Sequence, residues 1–174
     1  MPLTLHAAVV PTFQQMLSAL AGLIDKAESW CAERECDPSA LIEARLAEDM
    51  LPFGYQVQSC WVHSALSVES CANGSFTPYR EPWPDSFAGL RDMVARAQGI
   101  LAAIDADQLE ALADKELVFS IGDVFRKEFI VQDFLLSFSQ PNFFFHATTA
   151  YAIMRKEGIG IGKRDYLGAY RTKG

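Results

Sequence analysis

The sequence predicts an all-α protein: an up-down four-helix bundle with a small β-hairpin before the last helix. Three observations lead there. Four long stretches repeat apolar residues at intervals of three and four, the period of a helix with one buried face. Caps and stops bound those stretches: Thr4, Asp37 and Ser86 or Asp85 at starts, Asn73-Gly74 and Gly158 at ends. One segment alone reads as strand, with Glu116–Ile121 and Val124–Ile130 flanking Gly122-Asp123 as a two-residue hairpin turn. At 174 residues the chain is expected to be one domain, 1–174, large enough to bury a core without staples.

The first helix carries Val9, Phe13, Leu17, Leu20, Ile24 and Ala27 on one stripe. Pro11 is expected to mark its regular start, with residues 5–10 as an extra turn containing His6, read as a surface or end histidine. Asp37-Pro38 opens a short helix ending near Leu46, with Asp as cap and Pro at the first position. The second long helix is expected over Asp49–Ala72. Its core stripe is Met50, Phe53, Val57, Cys60, Trp61, Ser64, Val68 and Cys71, and Asp49, Gln56 and His63 form a row along its edge. Asp49 reads as its N-cap or, if it faces the interior, as a partner that holds His146 in one tautomer, and Cys60 reads as a small apolar filler. Residues 75–85, broken by three prolines, read as loop. A third helix runs to about Ile104, and Asp105–Asp114 is a short acidic helix or turn. The hairpin must then pack on the bundle, because a lone hairpin is marginal in water.

The last helix starts near Gln132, and Pro141 should kink it or begin a second segment. At ~100° per residue, Leu135, Ser139, Asn142, His146, Ala150 and Ile153 share an inward stripe, flanked by Phe138, Phe145, Thr149 and Ala152. The opposite face carries Phe144, Thr148, Tyr151 and Arg155. Phe144 and Tyr151 form a patch that a solvated face would not usually present. Two covers are open: a second copy, making a twofold homodimer, or the chain's own tail, through Ile159, Ile161, Tyr166 and Leu167.

A net charge of −7 and scattered Lys and Arg argue against a nucleic-acid partner. Cys31, Cys36, Cys60 and Cys71 form no Cys-x-x-Cys pair, so zinc-finger logic fails. The first residues carry no basic region, and His6, Gln14, Gln15 and Asp25 interrupt their apolar run. Neither signal peptide nor membrane span is expected, and a cytoplasmic protein with reduced thiols is. Gly158–Lys163 is spaced wrongly for a phosphate loop and follows a helix rather than a strand. The expected ligand pocket gathers His146, Asn142, Gln56 and Thr149. His146 there is either a core histidine satisfied by an amide or hydroxyl, or a ligand or general base. His63 reads as a surface or boundary residue. No catalytic residue can be named.

Leu46-Ala-Glu-Asp-Met50 with Gln56-Val-Gln58, Pro141-Asn-Phe-Phe-Phe-His146, Thr148-Thr-Ala-Tyr151 and Gly162-Lys-Arg-Asp-Tyr166 together resemble a bacterial family of unknown function within the DinB/YfiT-like metalloenzyme superfamily. The resemblance covers nearly the whole chain and implies the bundle and hairpin read above. It also implies a divalent metal, zinc or nickel, held by one histidine of the second helix and a His-x-x-x-His pair on the last. Here His146 stands first in that pair but Ala150 stands four later, and the second helix offers Gln56 and His63. His146 and His63 are thus the metal-ligand candidates, and an amide is a weak ligand beside imidazole. Two functional classes follow. One is a bundle with a degenerate or metal-free site that binds a small ligand or serves as a structural or interaction module. The other is a divalent-metal-dependent hydrolase or thiol-dependent transferase.

Overall fold

The structure, a computed structural model, describes residues 3–173. Helix α1 (Leu5–Glu33) begins ahead of Pro11, not at it. Thr4 Oγ1 accepts from Ala7 N at 3.1 Å, and Glu110 Oε1 accepts from His6 N at 2.8 Å. A distant carboxylate thus satisfies an N–H that a helix start leaves open, which local sequence could not reveal. By length and composition α1 could cross a membrane, its most apolar window having a mean hydropathy of 1.4. Here that apolar stripe lies in the core, with Val9, Phe13, Leu17 and Ile24 buried.

Helix α2 (Pro38–Ile42) is capped by Asp37 and stops short of Leu46. Helix α3 (Phe53–Trp61) starts after Pro52 with no side-chain cap; Asp49 lies exposed in the preceding turn, so its expected capping role is corrected. The same rod runs on through a π-helical turn (Val62–Leu66), α4 (Ser67–Ser70) and a 3-10 turn (Cys71–Asn73), and ends at Gly74 with φ +63°. The expected loop begins instead as a strand, β1 (Ser75–Phe76). Helix α5 (Phe87–Ala102) starts where Ser86 Oγ accepts from Gly89 N, and α6 (Ala106–Leu112) where Asp105 accepts from Gln108 N.

Strands β2 (Glu116–Ile121) and β3 (Phe125–Ile130) pair antiparallel, and β1 pairs parallel with β2, giving the order β1-β2-β3. Ile121 faces Phe125, so the turn holds three residues, with Val124 in the turn rather than in the strand. Helix α7 (Val131–Asp133) leads into a second π-helical turn (Phe134–Ser139), and α8 (Gln140–Lys156) follows with Pro141 in its first turn. Pro141 has no N–H to give and is well placed there. Gly158, at φ +89°, ends the rod, and α9 (Lys163–Leu167) closes the chain.

The fold is mostly helical with a small three-stranded sheet. Helix α1 packs on α5 and α8, and α3 packs on α8 and α5. The flank of α8 that turns inward carries Phe143, Ala147 and Met154, because α1 lies against it as well as α3. Phe143 is fully buried, its ring 4.8 Å from that of Phe13. Phe145, expected at the core's edge, is 58% exposed. The sheet turns Leu117 and Phe119 inward, and Phe76 of β1 packs on Phe119 and Phe134. The sheet therefore sits over the two π-helical turns.

The face of α8 opposite the core is partly covered by the chain itself. Tyr166 packs edge-on to Tyr151, its hydroxyl 3.0 Å from Thr148 Oγ1, and Ile159 and Ile161 are buried.

Candidate functional site

A regular helix would leave His63 at the edge of its stripe. The helix widens into a π-helical turn at Val62–Leu66, which takes in His63. His63, seven residues after the buried Gln56 and inside that turn, is buried at 9% exposure under Phe76, Phe138 and His146, and the expectation of a boundary residue is corrected. The two π-helical turns are tied together, Ser139 Oγ donating to the carbonyl oxygen of His63 at 2.9 Å. Across that junction the His63 and His146 rings stack, with centroids 5.6 Å apart and planes within 8° of parallel. Phe138 stands edge-on to His63, and Tyr55 edge-on to His146.

His146 is also buried, at 9% exposure, and its tautomer follows from its neighbour. Gln56 Nε2 donates to the Leu51 carbonyl at 2.8 Å, which turns Gln56 Oε1 towards His146 Nδ1 at 2.7 Å. An amide oxygen only accepts, so Nδ1 carries the proton and Nε2 keeps a free lone pair. Burial holds His146 down to about 4; burial and then the neighbouring His146 hold His63 down to about 3. Both rings are neutral at pH 7. His63 Nδ1 is buried with no hydrogen-bond partner, an uncommon condition for a polar atom in a native interior.

The pair forms the floor of a cleft of about 670 Å³. Its walls are Tyr55, Phe119, Phe138 and the strap Pro78–Trp83. Gln58 Nε2 fastens the strap by donating to the Glu81 carbonyl at 3.0 Å, and Trp83 Nε1 donates to Glu43 Oε1 at 2.8 Å. Asn142 lines the cleft and donates through Nδ2 to the Phe138 carbonyl at 2.7 Å.

Of the residues expected in the pocket, His146 and Asn142 line this cleft, and Gln56 lies behind His146. Thr149 does not join them: its hydroxyl donates to the Phe145 carbonyl, and it lines a separate groove with Leu46 and Phe144. Asp49 does not approach His146 as a hydrogen-bond partner; Gln56 takes that place. Helical spacing read His63 as a boundary residue and left it out of the pocket, although the resemblance named it beside His146 as a candidate ligand; the strap was missed altogether. The strap did carry a signal, since Pro78-Tyr-Arg-Glu-Pro-Trp83 sets two aromatics and an arginine in a loop stiffened by proline.

The residues present do not fit a three-ligand divalent centre. Among the described residues no three His, Cys, Asp or Glu side chains gather to hold a metal. The cleft floor supplies two imidazoles, and the Nδ1 of one is already engaged by Gln56.

The fold, mostly helical with a small three-stranded sheet, is DinB-like. The chain belongs to the family described as a domain of unknown function, DUF1993, whose model matches residues 5–167. It is also similar to a DinB family member from Shewanella denitrificans, known from a crystal structure. The identity is 28%, the TM-score is 0.83, and the match covers 98% of this chain and 95% of that one. No curated protein matches this chain significantly.

Proposed function

We propose that this protein is a small-molecule-binding domain on an up-down four-helix bundle, with the cleft above His63 and His146 as its site and no resident metal. The observation that carries the reading is the His63–His146 pair: two buried neutral imidazoles, one with an unpartnered Nδ1, at the floor of a cleft. A volume of about 670 Å³ lies within the usual range of small-molecule sites, which combine apolar walls with a few convergent polar groups. A core that needed only filling would put aliphatic side chains there, since unpartnered polar atoms are costly.

The alternative is a divalent-metal-dependent hydrolase or thiol-dependent transferase. What favours it is the closeness of the two imidazoles in an open cleft. Elemental analysis of protein prepared without a metal-affinity tag, combined with melting in chelator, separates the two. The metal-free reading expects no stoichiometric zinc or nickel and an unchanged melting temperature. An ion bound at 1,000 times its dissociation constant would contribute about 4 kcal/mol, and chelation would remove it.

A further inference from the structure

The hydrogen-bond arrangement of the cleft narrows the kind of molecule it can hold. With Nδ1–H committed to Gln56 Oε1 at 2.7 Å, His146 offers the cleft a bare acceptor at Nε2. The Gln56 amide cannot reverse without losing its 2.8 Å bond to the Leu51 carbonyl, so the tautomer is locked from behind. Asn142 spends one N–H on the Phe138 carbonyl.

Charge and shape add two constraints. Among the described residues, the only formal charges lining the cleft are Arg80 and Glu81, adjacent and opposite, so these walls carry no net charge. The buried floor offers no cation to hold an anion, and no carboxylate to hold a cation. Tyr55 stands edge-on to both His146, at 5.8 Å, and Trp83, at 6.0 Å, and Phe138 stands edge-on to His63. Aromatic walls favour a flat guest that can stack or meet them edge to face.

We infer that the cleft binds an uncharged, flat aromatic or heteroaromatic molecule that donates one hydrogen bond, from O–H or N–H, to His146 Nε2. The inference rests on the ligand-binding reading above and adds the class of ligand.

The test titrates full-length protein with phenol, indole, toluene and benzoate. Binding is read from Trp fluorescence, and ring contact from the ¹⁵N resonances of the two cleft histidines. Phenol and indole should bind about tenfold more tightly than toluene, the worth of one hydrogen bond in a desolvated site. They should also move the His146 Nε2 resonance, which toluene should not. Benzoate should bind more weakly than phenol. In His146→Phe, toluene binding should persist while the preference for phenol disappears; if that variant fails to fold, the comparison of ligands on the native protein decides alone. Equal binding of phenol and toluene, or tightest binding by benzoate, overturns the ligand class while leaving the cleft a binding site. If none of the four probes moves a cleft resonance, the ligand class and the binding reading both fall.

Discussion

His63 and His146 make stability depend on pH in a window that few other groups share. Their folded values, about 3 and about 4, lie below the ordinary 6.5. The unfolded chain therefore takes up protons first as pH falls. The stability contributed by the neutral pair is complete above about pH 6.5 and is lost progressively towards the folded values. Each histidine should contribute a slope of about 1.4 kcal/mol per pH unit. Glu28 and Asp165, held below their ordinary 4.5 and 3.8 by Arg91 and Lys26, add to the loss only from those values downward, so above them the histidines act without these two. Urea unfolding between about pH 6.5 and 4.5 should show the decline, and His63→Phe should halve its slope; a flat profile would contradict the buried neutral pair. Gln56→Ala should cost about 1–3 kcal/mol at neutral pH, because it strands both His146 Nδ1–H and the Leu51 carbonyl. A variant as stable as the native protein would show that another group satisfies them. At this scale His146, Asn142 and Gln56 were legible, since helical spacing alone put them on or beside inward stripes. His63, in the same row as Gln56, read only as an edge residue, because its burial comes from what packs over that edge: Phe76, Phe138 and His146.

The elements divide along the same line. The starts at Asp37, Ser86 and Asp105 were legible because each cap bonds within a few residues of itself. Strand β1 was not, because two residues make no pattern and its partner lies 43 positions away, Ser75 facing Val118. The strap Pro78–Trp83 read as mere loop because its purpose lies in what it faces. Its seating on α3 can be tested at Gly54. A Cβ there would lie 2.4 Å from Trp83 Cδ1 and 3.0 Å from Ile42 Cγ2. Gly54→Ala should therefore push Trp83 outward, break its bond to Glu43 and open one wall of the cleft. Overpacking of this kind costs about 1–3 kcal/mol. Tryptophan emission should move to longer wavelength and urea stability should fall. If both stay at native values, Trp83 is not wedged against α3.

The whole molecule is closed by its C-terminal segment. Asp165 caps α9 by accepting from Gly162 N at 2.7 Å and pairs with Lys26 of α1 at 2.5 Å. Gln15 Nε2 donates to the Leu167 carbonyl at 2.9 Å, and Arg155 donates to the Ile161 carbonyl. These bonds fasten the segment across α1 and α8, with Tyr166 lying against Tyr151. The exposed Lys26–Asp165 pair adds little by itself, since surface ion pairs contribute at most about 1 kcal/mol; the apolar contact of Tyr166 carries more. Deleting residues 165–174 should then lower stability by about 2 kcal/mol, from partial exposure of Tyr151 and loss of the Tyr166 and Leu167 contacts. It should also cause concentration-dependent association in light scattering, because the uncovered face adjoins the exposed Phe145. A truncated chain as stable and as monomeric as the native one would show that the segment is no cover. If the native protein is a homodimer that Tyr151→Glu converts into folded monomers, the same face is a contact between copies, and the segment is part of that interface.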